Sequence, residues 1–159
     1  MSNEALLVAT AIAHWKLIIS RIEISITRLS DEQLLQQIAP GKNRVVYLVG
    51  HLAAVHDRLF PLLGIGERLH PELDEPYLNQ PDRTVPDLLT PAELREVFKK
   101  VNAALAEAFD KLTPDEWLQP HTAVSADDFA KDPLRNRLAV LLSRASHAAF
   151  HTGQAILVK

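Results

Sequence analysis

The sequence predicts an all-α protein, a four-helix bundle in up-down-down-up order, and three observations carry that reading. Four long segments, roughly 3–29, 43–59, 91–112 and 134–158, place apolar residues at helical spacing. No segment alternates apolar and polar residues as a half-buried strand does. The connection between the second and third long segments is punctuated by prolines from Pro61 to Pro91, so no helix runs through it. A long crossover at that point lets the second and third helices run parallel.

Taken in order, the first segment runs from Asn3 to about Leu29 and is apolar over most of its circumference. Leu6, Ala9, Ala13, Leu17 and Ile24 form one stripe, and Ile12, Trp15, Ile18, Ile19, Ile22 and Ile26 widen it. A helix with so wide an apolar surface is buried on two sides, which predicts a homodimer interface with Ile19 on its exposed face, or else cover from the loop Leu63–Leu89 folded back within one chain. Ser30 or Asp31 caps a short second helix, and Pro40-Gly41 turns the chain. Asn43 is the expected cap of the next long helix, whose core stripe is Val45, Leu48, Val49, Leu52, Val55 and Leu59. Thr90-Pro91-Ala92-Glu93 is a capping box with proline at the first helical position. Leu94, Val97, Val101, Leu105, Ala108 and Leu112 mark the helix that follows. Thr113-Pro114-Asp115-Glu116 repeats the start signal for a short turn holding Trp117. The stretch to Asp132 reads as polar and irregular, and Asp132-Pro133 opens the last helix.

Composition narrows the function classes. A chain of 159 residues with 47% hydrophobic residues is expected to be one domain, 1–159, with its own core. Its formal charge is −3 and neither sign is collected into a block, so neither nucleic acid nor an anionic membrane is expected as a partner. Met1-Ser2-Asn3-Glu4 has no basic start of a secretory signal, and Lys16, Arg21, Glu23 and Arg28 interrupt the first apolar run. The expectation is a cytoplasmic protein without a membrane span. There is no cysteine, so any metal must be held by His, Asp or Glu, and a thiol reaction must take its thiol from a small molecule.

The candidate chemistry lies in Ser146-His147-Ala148-Ala149-Phe150-His151-Thr152-Gly153-Gln154. A separation of four residues turns a helix by ~400°, so His147 and His151 leave the same face and can share one metal ion. Zinc-protease helices carry Glu directly after the first His; here that position is Ala148, so the pair has no built-in base. By itself the pair fits equally well two histidines hydrogen-bonding within a helical core. His51, beside the core stripe of the second long helix, can point into the bundle, whereas His56 lies about 140° away on the helix wheel. His14 on the first helix can also approach the bundle interior, although a lone His among Ala and Ile is more often a core or interface residue.

Two stretches, Leu29-Ser-Asp-Glu-Gln-Leu with Pro40-Gly41 and Leu48-Val49-Gly50-His51-Leu52, and His147-x-x-x-His151-x-Gly153-Gln154, together resemble the DinB/YfiT-like superfamily over essentially the whole chain. The resemblance implies an up-down-down-up four-helix bundle, frequent homodimers, and a divalent metal site (zinc, nickel or iron) whose ligands carry over to His51, His147 and His151. It suggests transfer or isomerisation with a low-molecular-weight thiol, or hydrolysis, on a small-molecule substrate. A non-catalytic metal- or small-molecule-binding bundle is the rival from another class. Gln154, three residues after His151, is placed to orient that ligand or touch substrate. Arg144, three before His147, is placed to meet an acidic substrate or to form a structural ion pair.

Overall fold

The computed structural model describes residues 1–158, and among these the regular elements are helical. The helices are α1 (Asn3–Arg28), α2 (Asp31–Leu34), α3 (Val45–Asp57), α4 (Leu59–Leu63), α5 (Pro91–Phe109), α6 (Pro114–Trp117), α7 (Ala126–Lys131) and α8 (Arg137–Ala155). Four are long. α1 packs along α8, α3 packs along α5, and α1–α5 and α3–α8 contacts complete the group. Buried apolar residues of these helices and of the shorter segments between and after them, from Val8 to Val158, form one cluster.

The caps explain where most helices begin. Ser30, Thr90 and Thr113 each accept the backbone N–H three residues on, while Gln33, Glu93 and Glu116 reach back to the cap, so three capping boxes form. Three starts differ from expectation. Arg44, not Asn43, stands at the start of α3, because its backbone N–H and guanidinium are held by Asp82. Asn136, not Asp132-Pro133, caps α8 by accepting from the N–H of Ala139. The stretch expected to be irregular contains α7, capped by Ser125; it buries no residue, so no apolar stripe announces it. Helix α3 also stops at Asp57, and Pro61 lies within α4 until Gly64, in the left-handed conformation, ends that helix.

The proline-rich crossover is laid along α3. Arg44 pairs with Asp82 and Asp87, Arg58 with Asp74, and Arg68 with both Asp57 and Asp74. Asp57 is fully buried, and its carboxylate also accepts the N–H groups of Leu69 and His70. Between these ties a 3₁₀ turn (Pro71–Leu73) and a π-helical turn (Glu75–Asn79) bury Leu73 and Tyr77. Tyr77 lies on Gly50: a β-carbon there would come within 2.5 Å of the ring. Glycine is therefore what lets the crossover approach α3.

Helix α1 corrects one expectation. Ile19, expected on an exposed face, is 5% exposed and packs in the core with Trp15, Ile18, Ile22 and Ile26. The exposed apolar residues of α1 are instead Leu6, Leu7, Leu17 and Ile24. By length and composition alone this helix could cross a membrane. Its other face is built into the core.

Candidate metal centre

Three half-buried histidines meet where α3 faces α8, and helical geometry brings them there. His147 and His151 stand one above the other on α8, and His51 reaches across from the middle of α3. The Nε2 atoms of His51 and His147 are 3.2 Å apart, and those of His147 and His151 are 3.0 Å apart. One nitrogen from each ring lies within 4.8 Å of the others. Two imidazole nitrogens bound to one tetrahedral zinc at ~2.0–2.1 Å stand about 3.3 Å apart. The spacing is thus close to that of a shared ion.

Hydrogen bonds on the outer nitrogens fix which nitrogen faces inward. His51 Nδ1 donates to the Tyr77 carbonyl at 3.0 Å, and His151 Nδ1 donates to Gln154 Oε1 at 2.7 Å. Each bond leaves the Nε2 lone pair free and pointing at the common centre. The Nδ1 of His147 is buried with no partner. The inward lone pairs of His51 and His151 both face His147 Nε2 at 3.0–3.2 Å, a contact that is favourable only with a cation or a proton between the nitrogens. The donor set therefore fits a metal ion.

The electrostatics agree. Burial lowers the pKa of all three rings, most for His147, which is pushed down to about 4 by burial and then by His151, His51 and Arg144. The Tyr77 and Gln154 bonds oppose the shift in His51 and His151. At neutral pH all three rings are neutral, the form that ligates metal.

His51 and His147 open onto a cavity of about 650 Å³. One part of its wall is apolar, with Val55, Leu62 and Leu78; another carries Arg58, Arg68 and Asp74. Asp74 is held as carboxylate, its pKa near 2, chiefly by Arg68 and also by Arg58. Arg144 faces the same cavity from α8, and its Nε is buried without a partner. His14 is exposed on α1 and lies outside the cavity lining.

His51, His147 and His151 are therefore brought together as the sequence indicated, and Gln154 touches His151. His56 faces elsewhere: it is fully buried against Asn102, Trp15 and Phe98. Nothing in the residue order points to the Tyr77 carbonyl or to the Arg58–Asp74–Arg68 wall. Tyr77, Asp74 and Arg68 come from the crossover, where no periodicity shows what touches α3, and Arg58 stands at the end of α3.

Comparison with curated proteins finds no match. Among solved structures, one titled as the crystal structure of a conserved protein of locus from Enterococcus faecalis is similar, with a TM-score of 0.60 and 21% identity over 94% of this chain and 95% of that one. At that identity the likeness bears on the fold alone. The family description of the DinB superfamily matches residues 14–155, which include all three histidines and the crossover. The chain belongs to the DinB superfamily.

Proposed function

We propose that this chain is a metal-dependent enzyme that uses a low-molecular-weight thiol to modify or isomerise a small electrophile, with His51, His147 and His151 holding a divalent zinc, nickel or iron ion. The observation that carries the reading is the convergence of three Nε2 atoms at the edge of a cavity large enough for a small molecule. A divalent ion bound there would lower the pKa of a thiol or water reaching its open side. Three protein ligands with an open position are the composition of a catalytic site. The chain's own groups do the rest: Tyr77 and Gln154 hold two rings in the ligating tautomer, and Val55, Leu62 and Leu78 give the adjoining space an apolar wall.

The thiol reading is favoured over hydrolysis by the lack of a free base. Asp74, the carboxylate on the cavity wall, is already shared by two arginines and is a weak proton acceptor. The chain has no cysteine, so the thiol is a co-substrate. Untagged protein, assayed against a panel of thiols and electrophiles with and without divalent metal, tests the proposal. Metal-dependent thiol consumption that disappears in His151→Ala is the expected result. Bound metal with no turnover across the panel would favour a non-catalytic binding protein.

The same proposal takes the molecule to be one domain, 1–159, working in the cytoplasm as a homodimer without nucleic-acid or membrane partners. Its four long helices run up-down-down-up. Supporting that order, Arg95 near the start of α5 bonds the carbonyls of Ile26 and Leu29 at the end of α1, whereas Lys16, mid-α1, pairs with Asp110 just beyond α5. The exposed Leu6, Leu7, Leu17 and Ile24 of α1 support the dimer, since the crossover that could have covered them lies along α3.

A further inference from the structure

The cavity beside the histidines carries an imbalance of charge that the metal centre does not use. Arg58, Arg68 and Arg144 line it, against the single carboxylate of Asp74. Arg58 and Arg68 are both satisfied by Asp74, and Arg68 also by buried Asp57. Arg144 has no such relief. Among the described residues it forms no ion pair and no hydrogen bond, and its Nε is buried. Burial lowers its pKa with nothing to offset the effect, whereas the acidic partners of Arg68 raise that residue's pKa. A half-buried guanidinium kept without a partner costs free energy that a structural role does not recover.

The histidines sharpen the imbalance. All three are neutral ligands, so a bound divalent ion would bring its full charge close to Arg144, which lies one turn before His147 on α8. The arrangement is complete only when an anion enters the cavity.

We infer that the molecule received by this cavity carries a carboxylate, and that Arg144 is the residue that binds it. The planar fork of a guanidinium matches the two oxygens of a carboxylate. The apolar wall formed by Val55, Leu62 and Leu78 suits an apolar body attached to that group. The inference names a substrate class for the site proposed above and rests on that reading only for where the reactive end of the molecule lies. The carboxylate could belong to the electrophile or to the thiol co-substrate; turnover with each partner in acid and amide form tells them apart.

The direct test is an NMR titration with 3-phenylpropionate and its neutral amide. It uses zinc-loaded and metal-free wild-type protein, Arg144→Gln and Arg144→Lys. The acid is expected to bind wild type in both metal states, and the amide at least tenfold more weakly. Arg144→Gln should weaken acid binding about 10- to 100-fold while its zinc isotherm stays that of wild type, and Arg144→Lys should recover part of the loss. Equal binding of acid and amide, an Arg144→Gln variant that binds acid like wild type, or no acid binding at millimolar concentration would each overturn the inference. Acid binding seen only with zinc and indifferent to Arg144 would assign the carboxylate to the metal and overturn it as well. If wild type takes no zinc yet its acid binding depends on Arg144, the metal reading fails and this inference stands.

Discussion

At the scale of single residues, the site depends on which nitrogen of each histidine faces inward. His151→Ala removes one of three ligands but touches little of the core, which consists mainly of aliphatic and aromatic side chains. The expected outcome is loss of stoichiometric metal binding with unchanged helical circular dichroism. A variant unfolded without metal would make the site structural. His56 gives a separate pH prediction, because it is fully buried and its pKa is pushed down to about 4, chiefly by burial, with the Asn102 bond opposing. In the unfolded chain His56 protonates near 6.5, so the folded state loses stability as pH falls from about 6.5 to about 4, on the order of 3 kcal/mol. Because His147 is also pushed down to about 4, the His56 share of the slope is read as the difference between metal-free wild type and His56→Gln in urea unfolding across that range, and NMR should show the His56 ring still neutral at pH 5. The histidine pair on α8 was legible in the sequence because one helix fixes its geometry. His51 as third partner came from the family resemblance. The Tyr77 carbonyl was not legible, since a backbone group leaves no mark in the residue order.

At the scale of elements, the crossover is a part of the site rather than a spacer. It pins α3 at Arg44, at His51 and at Asp57–Arg58, and at Gly50 the Tyr77 ring leaves no room for a β-carbon. Gly50→Ala places a methyl group where the Tyr77 ring now lies, 2.5–2.7 Å from three of its carbons. Overpacking of this kind costs about 1–3 kcal/mol. Because Tyr77 also supplies the carbonyl that orients His51, metal affinity should fall together with stability. Calorimetry of unfolding and of metal binding measures both; a stability loss with unchanged affinity would separate the crossover from the site. The helices carrying capping boxes were legible from local sequence, since Ser30, Thr90 and Thr113 signal their own starts. Helix α7 and the start of α8 were not, because their caps, Ser125 and Asn136, precede no strong apolar stripe or stand within a polar stretch.

At the scale of the whole molecule, the sequence showed that α1 has more apolar surface than one contact covers, but not which residues are left over. Tertiary packing decides that: Ile19 is buried, while Leu6, Leu7, Leu17 and Ile24 are exposed. A two-fold partner would cover such a patch on both chains. Light scattering at low micromolar concentration is expected to give a dimer mass, and Leu17→Glu should reduce it to a monomer that keeps its fold. A monomer mass for wild type would rule the dimer out.

The central claim is that three Nε2 atoms share one ion, and anomalous diffraction from metal-loaded crystals tests it most directly. One peak per chain is predicted, ~2.0–2.2 Å from the Nε2 atoms of His51, His147 and His151, with its open side toward the cavity that holds Arg144. A metal-loaded crystal with no peak there, or with His51 turned away from the other two rings, would contradict the account.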